Sequence, residues 1–146
     1  MIYFDSAYIA RCYLPEPGHA EVIALAESSP RIGSVALARI EVTSVFHRKL
    51  REGAITPSIH RELCLQFTAD ISAGIWSMMP IAESLLLSAQ AAYQSLPATV
   101  FLRSADCLHL CAAAEAGLKE IYSNDRHLLA AAPHFKLRGI DVTAGI

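Results

Sequence analysis

The chain has 146 residues, of which 53% are apolar and 18% are charged, and its formal net charge at pH 7 is -2. This length allows one domain with a sizeable core, and the apolar content excludes a disordered chain. The net charge excludes a protein that binds nucleic acid through a generally basic surface, and no apolar run reaches the roughly eighteen residues of a membrane-spanning helix. We therefore predict a single globular domain over residues 1–146.

The N-terminus and the cysteines indicate where the protein resides. The first residues carry no basic group and reach an acid at Asp5, unlike a secretory signal peptide. The four cysteines, Cys12, Cys64, Cys107 and Cys111, have no framework spacing and stand in apolar or helical surroundings. Buried free thiols fit this pattern better than disulfides, so we expect a cytoplasmic protein.

Short apolar segments alternate with helical patterns along the whole chain. In chain order, the predicted elements are a strand at 1–4, helices at 6–14 and 19–27, a strand at 31–33, helices at 35–51 and 57–69, a strand at 75–79, helices at 82–94 and 105–116, a strand at 121–123, a helix at 127–132 and an edge strand at 135–141. Ser34, Thr56 and Ser104 are the expected N-cap residues of the helices that follow them. The alternation predicts an α/β fold with a mostly parallel sheet flanked by helices.

Four acids have positions that suit a shared site. Asp5 and Asp125 each follow a predicted strand, and parallel α/β sheets bind ligands at the carboxyl ends of their strands. Asp106 falls in the first turn of an apolar helix, where the helix dipole favours negative charge, and Glu41 lies inside the helix at 35–51. Carboxylates that face one another repel, and a hard cation such as Mg²⁺ resolves that repulsion. The pattern indicates metal-assisted phosphodiester hydrolysis, although spacing alone leaves open that these are ordinary acids of an α/β fold.

Each of the four acids stands within a longer motif. The motifs are IYFDSAYIA at 2–10, SVALARIEV at 34–42, LRSADCLHLCA at 102–112 and IYSNDRHL at 121–128. Their order and separation resemble the PIN-domain ribonucleases, and among them the VapC toxins of type II toxin–antitoxin pairs. The resemblance extends over nearly the whole chain and is most specific in the third and fourth motifs. It implies a PIN-like α/β/α sandwich.

The resemblance also implies an activity and a set of site residues. Members of the family are Mg²⁺- or Mn²⁺-dependent endoribonucleases, so we expect cleavage of RNA phosphodiester bonds. The residues that match the family's acids are Asp5, Glu41, Asp106 and Asp125, and those that match its supporting hydroxyl groups are Ser6 and Ser123. Asp5 and Asp106 would be the primary metal ligands. Asp125, which we also assign to the metal site, and Glu41 would act directly, through water or as a water-orienting base.

A toxin of this kind requires partners. The resemblance implies a small antitoxin protein that wraps the toxin and offers an apolar anchor and a basic side chain to the carboxylates. It also implies a homodimer, for which the apolar helices between residues 35 and 69 supply a candidate interface. A buried core explains the same apolar pattern equally well.

Cys107, His109 and Cys111 invite comparison with a zinc site. On a helix, positions 107 and 111 share a face while position 109 points nearly opposite, so the three side chains cannot hold one ion. Two interpretations of His109 remain, a buried histidine with a hydrogen-bond partner or a helper at the site.

Basic side chains are also open to two interpretations. Those of the helix at 35–51 form either a solvated face or a contact to RNA phosphate or a partner; they are Arg39, His47, Arg48, Lys49 and Arg51. Arg103 and Arg126, next to two proposed ligands, would either hold RNA phosphates or offset carboxylate charge.

Two other functions compete with the nuclease. The first is a catalytically inactive module of the same fold that binds RNA or protein, and the presence of all four acids disfavours it. The second is phosphotransfer with Asp5 as the nucleophile. That chemistry requires a second aspartate two residues on in the haloacid-dehalogenase pattern, where this chain has Ala7.

Overall fold

The computed structural model describes residues 1–146, which form five short strands and seven α-helices. In chain order the elements are β1 (Ile2–Tyr3), α1 (Ser6–Arg11), α2 (His19–Ser28), β2 (Ile32–Val35), α3 (Ala38–Arg51), α4 (Pro57–Ser72), β3 (Trp76–Met79), α5 (Glu83–Ser95), α6 (Ser104–Glu115), β4 (Glu120–Tyr122), α7 (Arg126–Ala131), a 3₁₀ turn (Ala132–Phe135) and β5 (Arg138–Ile140). None of the helices combines the length and apolar character required to cross a bilayer.

All strand pairs are parallel, which confirms the predicted sheet. β1 pairs with β2 and β2 with β3, while β4 pairs with β5. A parallel bridge between Phe4 and Tyr122 joins β1 to β4, so that the strands lie in the order β3-β2-β1-β4-β5. β1 therefore has neighbours from opposite halves of the chain, and the crevice at the carboxyl ends of β1 and β4 is where such a sheet binds ligands.

Helices cover both faces of the sheet, as expected for an α/β/α sandwich. Consecutive strand residues point to opposite faces, and Tyr3 and Phe4 accordingly belong to different cores. Tyr3 packs with apolar residues of α5, α6 and α7. Phe4 packs with apolar residues of α1 to α4, among them the aromatic side chains of Phe46 and Phe67.

Two of the three predicted N-caps are wrong. Ser34 lies inside β2 and is buried, because the strand continues to Val35 through pairing with β3, and α3 begins only at Ala38. Ser104 is the first residue of α6, and Arg103 occupies the extended N-cap position before it. The third prediction is confirmed, since the Thr56 hydroxyl accepts a hydrogen bond from the backbone N–H of Ile59 at 3.2 Å.

Candidate active site

The four predicted acids line one cavity at the carboxyl edge of the sheet, which we call the carboxyl-edge cavity. Its volume is about 390 Å³, and only two of its twelve lining residues are hydrophobic. Asp5 follows β1, Asp125 follows β4, and Asp106 and Glu41 lie in the first turns of α6 and α3. The remaining lining residues are Ser6, Ala7, Ser44, Val45, Arg48, Arg103, His109 and Asn124.

Asp5 is the most deeply buried of these acids, with 5% of its surface exposed. Its carboxylate caps α1 by accepting the backbone N–H of Tyr8 at 2.9 Å, and its second oxygen accepts the hydroxyl of Ser123. Burial raises the pKa of Asp5 to about 6, and the charge of Asp106 adds to that effect. The hydrogen bonds from Ser123 and Tyr8 lower the pKa of Asp5 only in part. Asp5 is thus a buried acid whose negative charge is not fully compensated.

Ser123 links two of the acids. While its hydroxyl donates to Asp5, its oxygen accepts the backbone N–H of Asp125 at 2.9 Å. Asp125 in turn caps α7, since its Oδ1 accepts the N–H groups of His127 at 2.8 Å and Leu128 at 3.1 Å. The short turn after β4 therefore fixes Asp5 and Asp125 relative to each other. Ser123 holds both of these acids by direct hydrogen bonds.

Arg103 bridges Asp106 and Asp125. Its Nε donates to Asp106 at 2.9 Å, and its terminal nitrogen donates to Oδ2 of Asp125. The side chain of Arg103 is 59% exposed, whereas that of Asp106 is 13% exposed. The guanidinium therefore reaches from the surface to the carboxylates and offsets their charge, which is one of the two interpretations given for this residue.

Glu41 is held by donors from two other helices. Its Oε1 accepts the hydroxyl of Ser6 at 2.7 Å and lies 2.7 Å from Nε2 of His109. Burial raises the pKa of Glu41, but the hydrogen bonds from His109 and Ser6 and the charge of Arg103 together hold that pKa below its usual value. Glu41 is therefore a stable carboxylate at neutral pH.

His109 is a buried histidine with hydrogen-bond partners, as the first of the two interpretations predicts, and it also lines the cavity. Its Nδ1 lies 2.9 Å from the hydroxyl of Tyr3, a residue that the sequence did not single out. A signal for Tyr3 was nevertheless present, because the hydroxyl of a tyrosine on a buried strand needs a partner. That partner had to come from elements adjacent to β1.

The donor set of the carboxyl-edge cavity fits a hard divalent cation by its chemistry. Four carboxylates supply oxygen ligands, which Mg²⁺ and Mn²⁺ prefer. Burial, together with the charge of Asp106, raises the pKa of Asp5, and a bound cation would favour its charged form. In the present arrangement no three His, Cys, Asp or Glu side chains converge closely enough to hold one ion. Arg103 joins Asp106 to Asp125 instead. The four carboxylates therefore line one cavity, but they are not preorganised to coordinate a single ion.

Of the basic residues in α3, only Arg48 lines the cavity. Its Nε lies 3.8 Å from Glu52 in an exposed pair, which leaves the guanidinium largely accessible. Lys49 is paired with Glu16 instead. The site thus has one accessible arginine on its α3 side and Arg103 on its α6 side.

The chain matches a protein-family model and several solved structures. The family model described as PIN domain matches residues 2–133. A solved structure described as FitAB bound to an IR36 DNA fragment superimposes with a TM-score of 0.64 at 14% sequence identity, over 97% of this chain and 94% of that chain. No curated protein matches the sequence. The structural match shows a shared fold, and the family match covers most of the chain.

Proposed function

Because the chain belongs to the PIN domain family, we propose that it is a metal-dependent endoribonuclease of the VapC type, the toxin of a toxin–antitoxin pair. The observation that carries this proposal is the gathering of Asp5, Glu41, Asp106 and Asp125 around one cavity. The cavity lies at the carboxyl edge of a parallel sheet, where α/β folds place their active sites. The proposal takes the whole chain, residues 1–146, as one PIN domain, and places the protein in the cytoplasm.

Asp5, Asp106 and Asp125 would hold the cation. A bound Mg²⁺ or Mn²⁺ lowers the pKa of a coordinated water and stabilises charge on the attacking and leaving oxygens of a phosphodiester. Ser123 orients two of the three ligands, because it donates to Asp5 and accepts the N–H of Asp125. Partners of this kind normally fix the orientation of metal ligands.

Glu41 would serve the attacking water. It is a carboxylate at neutral pH, its Oε1 is occupied by donors from Ser6 and His109, and no protein hydrogen bond reaches its Oε2. A carboxylate with one free oxygen can accept a proton from water or orient that water. Ser6 supports this group in the same way that Ser123 supports Asp5.

RNA would approach the cavity along its exposed rim. The side chains of Arg48 and Asn124 line the cavity and are exposed, so they can contact phosphate or sugar oxygens. Arg103 would contact phosphate once it leaves the carboxylates. With few such contacts, binding should weaken with salt only moderately and should depend on the structure of the RNA.

The proposed partners follow from the same site and from the exposed helices. An antitoxin that presents a basic side chain would take the position of Arg103 on Asp106 and Asp125. A homodimer would cover apolar side chains of α3 and α4 that are exposed in the single chain, namely Ile40 (69%), Ile59 (43%) and Leu65 (67%).

One observation favours a second function, a catalytically inactive PIN-fold module that binds RNA or protein. Arg103 neutralises two of the four acids, and no three potential ligands converge. An inactive module would retain the fold and the internal ion pairs without exchanging them for a cation. The two functions differ in whether RNA is cleaved.

The test is cleavage of a total-RNA pool, including tRNA and ribosomal RNA, with added Mg²⁺ or Mn²⁺. Asp106→Asn keeps the shape of the side chain and removes the charge that holds the cation, so we expect its rate to fall about 100-fold or more. Asp70→Asn, which changes a partly buried acid outside the cavity, is the matched control and should cleave like the wild type. A duplex DNA should be included, because the FitAB structure contains DNA.

Discrete RNA fragments that disappear with Asp106→Asn and with a chelator support the nuclease. Folded wild-type protein that cleaves nothing with either metal supports the inactive module. Cleavage that survives in Asp106→Asn contradicts the assigned site.

A further inference from the structure

A chain of buried polar groups leads from the interior of the protein to Glu41. The backbone N–H of Val35 donates to the hydroxyl of Tyr3 at 2.9 Å, and that hydroxyl lies 2.9 Å from Nδ1 of His109. The other ring nitrogen of His109, Nε2, lies 2.7 Å from Oε1 of Glu41. Tyr3 is 0% and His109 is 1% exposed, so neither side chain can exchange these partners for bulk water.

Hydrogen-bond chemistry determines which ring nitrogen of His109 carries the hydrogen. A carboxylate only accepts, so Nε2 donates to Glu41. The Tyr3 oxygen already accepts the N–H of Val35, which leaves the hydroxyl hydrogen for Nδ1. The Tyr3 side chain is fully buried, so the hydroxyl donates that hydrogen to the ring and not to bulk water. The neutral ring with its hydrogen on Nε2 therefore satisfies every group in the chain.

The chain ends on one particular oxygen of Glu41. The Ser6 hydroxyl donates to Oε1 at 2.7 Å, and its oxygen also lies 3.2 Å from Nε2 of His109. Ser6 belongs to α1 and His109 to α6, so two helices fix the carboxylate of a third. With both donors on Oε1, the second oxygen remains free at the cavity.

We propose that His109, oriented by Tyr3, is a positioning residue that holds Glu41 with Oε2 free for the attacking water. This inference rests on the proposed endoribonuclease function and deepens it, because it assigns a role to two buried side chains that are not metal ligands. A histidine that only fills the core would matter through its volume and its satisfied nitrogens. A positioning histidine matters specifically through the hydrogen on Nε2.

Two substitutions at position 109 separate these roles. His109→Gln places an amide nitrogen near the position of Nε2 and can still donate to Glu41. His109→Asn places its polar atoms near Nδ1, so it reaches toward Tyr3 but not to Glu41. Both variants lose the ring and leave a comparable buried amide, which makes each the control for the other.

We expect the two variants to differ in kcat but not in stability. His109→Gln should keep kcat within about threefold of wild type, and His109→Asn should lower kcat about 10- to 100-fold, the usual cost of losing a residue that orients a functional carboxylate. The KM for RNA should change little in either variant. Thermal unfolding of the two proteins should show similar losses.

Tyr3→Phe tests the other end of the chain. Removing the hydroxyl leaves Nδ1 without a donor, so the ring should no longer hold one tautomer. We expect kcat to fall about tenfold. The ¹⁵N chemical shifts of the His109 ring should report a single Nε2–H form in the wild type and a mixture in Tyr3→Phe.

The outcomes for this proposal and for the nuclease are distinct. A wild type that cleaves RNA, with His109→Gln and His109→Asn equally active at matched stability, overturns only the positioning role. Ring shifts that place the hydrogen on Nδ1 in the wild type do the same. A folded wild type that cleaves no RNA overturns the proposed nuclease, and the positioning role falls with it.

Discussion

Two cavities of similar volume lie at opposite edges of the sheet, and the acidic side chains that line them have different surroundings. The carboxyl-edge cavity, of about 390 Å³, contains four carboxylates. The second, of about 420 Å³, lies where β2 and β3 begin, and we call it the amino-edge cavity. Its lining includes the acid Asp70. Volume alone therefore does not identify the functional site, and the partners of each acid must be compared.

Asp70 has a neutral hydrogen-bond donor for each oxygen. Tyr13 donates to Oδ2 at 2.5 Å, and Gln66 donates to Oδ1 at 2.7 Å. The indole N–H of Trp76 donates to the Tyr13 oxygen at 2.6 Å, which completes the chain of bonds. This is the arrangement of an acid that stabilises the fold. Asp5 also has a neutral donor for each oxygen, but it differs from Asp70 because its burial raises its pKa and the charge of Asp106 raises that pKa further.

The largest expected effect is on stability. Replacing an aspartate with asparagine should stabilise the protein at Asp5, in the carboxyl-edge cavity, and destabilise it at Asp70, in the amino-edge cavity. The pKa of Asp5 is about 6 in the folded protein, against an ordinary value of 3.8. Between these pH values the folded state holds a proton that the unfolded state has lost, so the free energy of unfolding falls as pH rises through this window. Asp5→Asn removes this cost and should stabilise the metal-free protein by about 2 kcal/mol at pH 7.5.

Asp70→Asn should instead destabilise the protein by about 1 kcal/mol, because an acceptor of two hydrogen bonds is lost. Urea unfolding at pH 7.5 and pH 4, with a chelator present, measures both effects. At pH 4 the benefit of Asp5→Asn should shrink toward zero. Destabilisation by Asp5→Asn at pH 7.5 would contradict the view that its charge is uncompensated.

A smaller effect is expected at Arg103, which gives the carboxyl-edge cavity the only cation that contacts its aspartates. Arg103→Gln frees Asp106 and Asp125 from two exposed ion pairs that together contribute about 1 kcal/mol. We therefore expect the affinity for Mn²⁺, measured by electron paramagnetic resonance of the free ion, to rise about fivefold.

The control for Arg103→Gln is Arg126→Gln, since Arg126 adjoins Asp125 in sequence but forms no ion pair. It removes the same charge from the same region and should change Mn²⁺ affinity little. Equal gains in the two variants would show a general charge effect. Weaker binding by Arg103→Gln would contradict competition between the guanidinium and the cation.

The gathering of the aspartates at the carboxyl-edge cavity could be predicted from the sequence, because local signals determine their positions. Asp5 and Asp125 follow short apolar strands, and a parallel sheet must bring such residues to one edge. Asp106 was predicted in the first turn of its helix and is found there. The succession of elements along the chain and the parallel character of the sheet were likewise predicted, since alternating strands and helices allow few arrangements.

The remaining features depend on pairing across long sequence distances. The sequence predicts Ser34 as an N-cap because nothing local shows that pairing with β3 extends β2 to Val35. The hydrogen bond between Tyr3 and His109 joins residues 106 positions apart. The position of Arg103 between two aspartates likewise depends on the packing of α6 against α7. Such contacts exist only after the sheet has formed, so periodicity and capping rules do not report them.

The most direct test of the central claim is a calorimetric titration of Mn²⁺ into three proteins, the wild type, Asp106→Asn and Asp70→Asn. The account predicts that the wild type and Asp70→Asn bind with equal affinity and that Asp106→Asn binds at least about tenfold more weakly, because a ligand of the carboxyl-edge cavity has lost its charge. Equal binding by Asp106→Asn and the wild type would contradict the account, as would a comparable loss in Asp70→Asn.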